Sequence, residues 1–221
     1  MRLSRQWMML FFLVVFAGPA LAGEVLEKPP TTPDPASRYM FYMHGRYVEE
    51  RGSDNVYKYD AILRELADKG FTVVGEARGQ VDLGDYARLV AGQMTAMISA
   101  GVPAGNITVA GHSRGGFIAL LAASFVGNPD VRYGILAACG LEGTRFRKAY
   151  RRLLKKSAEA IKGKFLVMWE QGDEDAGHCD EVLEKAGAPY RNVKLTVGGG
   201  HRIFYKPEAS WLGPLVTFAK E

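Results

Sequence analysis

Cys139 and Cys179 are the only cysteines in the 221 residues, and there are only 4 histidines. With so few ligands, nothing in the chain has the spacing of a zinc site. No Gly-x-Gly-x-x-Gly opens an early helix, which sets aside a dinucleotide-binding fold; Gly198-Gly199-Gly200 follows the last expected strand instead. An excess of charge is also missing. The formal +4 becomes +2 if Arg2 and Arg5 are removed, leaving 26 Lys and Arg against 24 Asp and Glu, so charge gives no argument for a nucleic-acid partner. The longest apolar run, residues 8–16, is shorter than the roughly 20 residues needed to span a bilayer. Internal repeats and low-complexity segments are absent from the part after residue 22.

What is present begins with an address. Arg2 and Arg5 precede the apolar run, and Ala20-Leu21-Ala22 forms a small-x-small cleavage site. Residues 1–22 therefore read as a signal peptide, with Gly23 the first mature residue and the periplasm or the exterior the destination. No cysteine follows that site, which argues against a lipid anchor. Residues 23–37, with Pro29-Pro30 and Pro33-Asp34-Pro35, read as an extended lead-in, and residues 38–221 as one domain. In an exported chain the two cysteines can pair. Each follows one of two consecutive expected strands, which places both at one sheet edge; a disulfide and two separate buried thiols stay open.

Along residues 38–221, short apolar runs alternate with helical periodicity. Strands are expected at residues 38–43, 71–74, 107–110, 133–138, 165–169 and 193–197, and helices at 59–66, 83–97, 114–125, 144–161, 180–185 and 209–219. Apolar strands without polar alternation imply an α/β fold, a mostly parallel sheet with helices on both faces. Ligands of such sheets bind beyond the carboxyl ends of the strands. Residues 145–156 carry seven basic side chains and no acidic one. Tyr150, Leu153 and Leu154 follow helical spacing there, so an amphipathic helix with a solvated basic face is expected; contact with an anionic membrane surface is the competing reading.

The pattern with most chemistry is Gly111-His112-Ser113-Arg114-Gly115-Gly116, between an expected strand and an expected helix. A Gly-x-Ser-x-Gly turn there lifts a serine hydroxyl to the sheet edge at a helix N-terminus, whose N–H groups favour a developing oxyanion; a plain N-cap serine is the alternative. A serine nucleophile needs a base. His201, in the loop after Gly198-Gly199-Gly200, can reach over the sheet edge, whereas His112 is expected to pack away from the serine and His44 and His178 to be structural. For the acid, counting from the strand end favours Asp173, while the spacing Gly172-x-x-Asp175 favours Asp175; Asp173 is the choice and Asp175 the alternative. Two backbone N–H donors complete the set: Arg114, after the serine, and Arg46, where Gly45 lets the chain turn after the first strong strand.

Taken together, these residues resemble the α/β-hydrolase superfamily over nearly all of the mature chain. The carriers are His44-Gly45, residues 76–79 after the second strand, Ser113, Asp173 and His201, with serine, acid and histidine in that family's chain order. The resemblance implies an eight-stranded, mostly parallel sheet and hydrolysis of an ester or amide through an acyl-enzyme, with no metal or organic cofactor. It also implies that the first two, antiparallel strands are missing or lie within residues 23–37. No insertion after residue 138 is long enough for a cap domain. Glu170 stands where many relatives have glycine. A small acyl ester is the expected substrate, and a peptidase, an acyltransferase or a non-catalytic binding protein on the same fold are the alternatives.

Overall fold

The computed structural model describes residues 23–53 and 55–221; the expected signal peptide, residues 1–22, lies outside them. In chain order the elements are β1 (Val25–Leu26), β2 (Tyr39–Met43), α1 (Arg46–Arg51), α2 (Tyr59–Asp68), β3 (Thr72–Val74), α3 (Leu83–Ser99), β4 (Ile107–His112) and α4 (Arg114–Val126). Then come β5 (Arg132–Leu136), β6 (Cys139–Gly140), α5 (Arg145–Lys156), β7 (Lys164–Glu170), β8 (Ala176–Gly177), α6 (Asp180–Ala186), β9 (Tyr190–Leu195) and α7 (Ala209–Lys220). Seven strands form one sheet in the order β1-β3-β2-β4-β5-β7-β9, and every pairing is parallel. This is a parallel α/β arrangement, with helices on both faces.

Alternation along β2 shows how the sheet divides the interior. Tyr39, Phe41 and Met43 face a core shared with α3, α4, α5 and α6, and Met40 and Tyr42 face one shared with α2 and α7. Helix α4 is apolar nearly all round because it is buried against the sheet and α3. Asp82 caps α3 by accepting from the Gly84 and Asp85 N–H groups at 2.8 and 3.0 Å.

Several expectations need correction. Among the described residues the main sheet has seven strands against the family's eight, all parallel, in keeping with the expected loss of the antiparallel strands. The lead-in at residues 23–37 is extended but not separate, since Val25–Leu26 pairs with β3 and the Val73 N–H donates to the Glu24 carbonyl at 2.8 Å. The strand expected over residues 133–138, β5, stops at Leu136, where Ala137 turns to φ 47° and sends the chain into β6. The basic helix ends at Lys156 rather than residue 161. A helix not expected at all, α1, begins directly after Gly45.

Strands β6 and β8 pair antiparallel beside the carboxyl edge of the main sheet, with Cys139 opposite Gly177. Cys139 and Cys179 are bonded, closing a loop across a sequence separation of 40. A loop of that size stabilises the fold by about 4 kcal/mol on a chain-entropy account. The Cys139→Ser, Cys179→Ser double variant should therefore lower unfolding stability in urea by about 2 to 4 kcal/mol; an unchanged midpoint would show that the bond does not constrain the unfolded chain.

Candidate active site

At the centre of the carboxyl edge, β4 ends at His112 and α4 starts at Arg114, leaving Ser113 alone in the turn. Ser113 has φ 55° and ψ −116°, a conformation that costs a non-glycine residue about 1 to 3 kcal/mol. Its N–H donates to the Leu136 carbonyl at 2.8 Å and its own carbonyl accepts from Phe117 at 3.0 Å, which hold it there. The hydroxyl makes no capping hydrogen bond to α4, so the N-cap reading does not account for this serine. Glycine is required on both sides of the turn. A Cβ on Gly111 would lie 2.4 Å from the Gly115 carbonyl carbon, and one on Gly115 would lie 2.1 Å from the Met43 carbonyl oxygen.

Ser113 borders a cleft of about 500 Å³ whose walls include Gly45, Arg46, Tyr47, Thr144, Asp175, His201 and Tyr205. His201, in a 3-10 turn over residues 200–205, places its Nδ1 2.8 Å from Asp173 Oδ2. The other Asp173 oxygen, Oδ1, accepts from the Asp175 and Ala176 N–H groups at 2.9 and 3.0 Å, and the Asp173 side chain is fully buried. A carboxylate held by two backbone donors has one oxygen left to orient an imidazole, and here it does so. Asp175 enters through its backbone N–H, its side chain lying at the cleft wall.

Glu170 explains its own departure from glycine. It is 3 % exposed, and it accepts from the Gly172 N–H at 2.6 Å and from the Gly198 N–H at 3.1 Å. One carboxylate thus ties the turn carrying Asp173 to the loop leading to His201.

His112 is buried, but it does not turn away from the site. Its ring stands 4.5 Å from that of His201, 5.3 Å from Phe204 and 5.8 Å from Tyr57, so it forms the floor beneath the candidate base. Its charged form is disfavoured by burial first and by the neighbouring His201 second, which sets its pKa well below the usual imidazole value. His44 is buried against Tyr59, with the ring centroids 4.9 Å apart. Burial and then the Arg78 charge lower its pKa to about 3. His178 lies at the surface, 2.9 Å from an Asp180 oxygen.

Arg46 and Arg114 are the first residues of α1 and α4, positions whose N–H groups have no acceptor within their own helix. The two segments adjoin: a Cβ on Gly45 would stand 3.3 Å from Ser113 Cβ. Between them lies a cluster of charges centred on Glu49, a residue that the sequence did not single out. Glu49 of α1 has a fully buried side chain, with Oε1 accepting from Arg78 Nη2 at 2.7 Å and Oε2 lying 3.3 Å from Arg114 Nη1. Arg78 Nη2 also donates to the His44 carbonyl at 2.6 Å. Asp173, Asp175 and His201 have donor atoms within 4.8 Å of one another, the one grouping among the described residues able to hold a metal ion. Both Asp173 oxygens are already engaged in the hydrogen bonds given above.

Comparison with known proteins adds to this geometry. No family model and no curated protein sequence matches the chain. Solved structures do. SOBER1 of Arabidopsis thaliana superposes with a TM-score of 0.56 at 14% identity, over 84% of this chain and 98% of that one. Dipeptidyl peptidase 4 of Porphyromonas gingivalis gives 0.54 at 18% identity, over 86% of this chain but 32% of the larger one. The S-formylglutathione hydrolase FrmB of Staphylococcus aureus gives 0.50 at 17% identity, over 84% and 82%. At these identities the likeness is one of fold.

The two buried histidines set an acid limit on stability. Their folded-state pKa values are depressed, so the unfolded chain, with imidazoles near 6.5, binds protons that the folded chain does not. Stability is therefore complete above about pH 6.5 and falls as pH drops below it, for His44 continuing to about pH 3. His44 should remove about 2 kcal/mol between pH 7 and pH 5, and His112 adds to the loss in the same direction. Urea titrations at both pH values should show this loss, and His44→Asn should reduce it; identical stability at pH 7 and pH 5 would refute it.

Proposed function

We propose that this protein is a serine hydrolase that cleaves small carboxylic esters through an acyl-enzyme on Ser113. The observation that carries the reading is the strained Ser113 turn opening into the same cleft as a His201 imidazole paired to a buried Asp173 at 2.8 Å. In this mechanism His201 takes the proton from the Ser113 hydroxyl as the oxygen attacks the ester carbonyl. Asp173 fixes the imidazole tautomer and stabilises the cation that forms. The carbonyl oxygen gains charge and accepts from the Arg46 and Arg114 N–H groups. Collapse expels the alcohol with the proton from His201, and water then repeats the sequence to release the acid and free serine. Two of the structural neighbours are named as a peptidase and a hydrolase, which supports chemistry of this class without selecting the bond.

The cleft favours a small substrate, because the turn at Gly143 and Thr144 is the segment between β6 and α5 that borders it and no cap covers it among the described residues. The same turn also borders a groove lined by Lys148, Arg152, Lys155 and Lys156. Esters bearing a negative charge are therefore the preferred group, with α5 a substrate-facing element rather than a nucleic-acid surface. We place the mature protein outside the cytoplasm. The leader pattern of residues 1–22 and the Cys139–Cys179 bond both support that location.

Ser113→Ala should lower kcat on short p-nitrophenyl esters by at least about 10³-fold and abolish labelling by a fluorophosphonate probe. Asp173→Asn should cost about 10²- to 10⁴-fold in kcat, against less than about 3-fold for Asp175→Asn. Retained activity in Ser113→Ala would reject the mechanism. For charge, a succinate monoester should show at least about 5-fold higher kcat/KM than a neutral butyrate ester, with the advantage lost at high salt; equal values would reject the anionic preference alone.

A further inference from the structure

The Glu49 cluster is expensive as a purely structural device. A buried ion pair is weak evidence for stability, because desolvation of the two charges offsets most of their attraction. This one is also incompletely satisfied: Glu49 Oε2, Arg78 Nε and Nη1 and Arg114 Nε are buried and have no hydrogen-bond partner, Oε2 meeting Arg114 as an ion pair alone. Apolar side chains would fill the same space without orphaned donors. Its location supplies the reason for its presence. Glu49 lies three residues after Arg46 on α1, and Arg114 follows Ser113 at the start of α4. Arg78, from the loop after β3, grips Glu49 with the same nitrogen that holds the His44 carbonyl, one residue before Gly45.

We propose that Glu49 is a positioning residue that sets the spacing of the two backbone donors meant for the oxyanion. The proposal rests on the serine-hydrolase reading and extends it to a residue that touches no substrate. Helix α1 has only six residues, its N-cap Gly45 offers no side chain, and Val48 is its one buried apolar anchor, so little within the helix sets its approach to Ser113. The carboxylate supplies that constraint: one oxygen draws in Arg78 and with it the His44 carbonyl, and the other faces Arg114 on α4. The Arg46 N–H is thereby held against α4 from one side of the turn and the Arg114 N–H from the other. Since the oxyanion exists only after attack, loss of this spacing affects the transition state more than ground-state binding.

Glu49→Gln keeps the shape of the side chain and removes its charge. On a short p-nitrophenyl ester, kcat per folded molecule should fall about 10- to 100-fold with KM changed less than 2-fold. The rate of fluorophosphonate labelling at Ser113 should fall in parallel. If Glu49 is only a structural ion pair, the variant melts earlier while kcat and labelling rate, measured well below its midpoint, stay within 2-fold of the parent; that result overturns the proposal. Arg114→Met removes the tie to α4 from a side chain that is 22 % exposed and leaves the Arg78 pair intact, so it decides the matter if Glu49→Gln does not fold. It should lower kcat at least about 3-fold with KM unchanged, and an unchanged kcat overturns the proposal equally. Failure of the parent to label at Ser113 would instead strike the hydrolase reading itself.

Discussion

Everything at the site depends on one backbone contact. The first turn of α4 lies against the carbonyls of Met43 and His44 so closely that Gly115 admits no Cβ, which would sit 2.1 Å from one oxygen and 2.8 Å from the other. That contact brings α4 onto the end of β2 and forces Ser113 into its positive-φ turn. It also makes the start of α1 a neighbour of the start of α4. A larger residue at Gly115 would separate these elements, and the cleft would lose its wall. The energetic cost of the turn is carried by the paired strands β2, β4 and β5, whose Met43–Gly111 and His112–Leu136 registers align their carboxyl ends.

Most of the buried polar and charged side chains gather at this edge, with Thr108 and Arg132 at the amino ends of β4 and β5 the exceptions among the described residues. Glu49, Arg78, Glu170, Asp173, His44, His112 and Ser113 are all buried near the ends of strands β2 to β7. The carboxylates divide the work by what they bind. Glu170 and Asp173 accept from backbone N–H groups and thereby shape loops, while Glu49 binds guanidinium groups and holds helices. Burial of each costs several kcal/mol unless its partners are in place, so the loops and helix ends around them are restricted to one arrangement. The neutral histidines fit the same logic: a proton on His112 would stand against His201 in a space with little water.

The alternation of strands and helices was legible because each element is apolar and bounded by turn residues, and it placed Ser113, His201 and Gly45 at strand ends correctly in order. The choice of Asp173 over Asp175 rested on a count from the strand end alone, because both fit the loop; the hydrogen bonds distinguish the one that faces His201. Helix α1 escaped detection since its six residues show one buried apolar position, Val48, and no periodicity can be read from one. β1 was hidden by its two-residue length within a proline-rich segment. Glu49 carried no signal whatever, because its partners are 29 and 65 positions away and ion pairing at such separations leaves no local pattern. The expected eighth strand came from the resemblance rather than from any run in this chain.

The Cys139–Cys179 bond turns residues 139–179 into a covalent ring, and α5, β7 and the Asp173 turn all lie on it. His201 lies outside. Fraying from the carboxyl terminus would therefore free α7 and the 3-10 turn carrying His201 without opening the ring, and the Asp173–His201 and Glu170–Gly198 hydrogen bonds are contacts it would have to break.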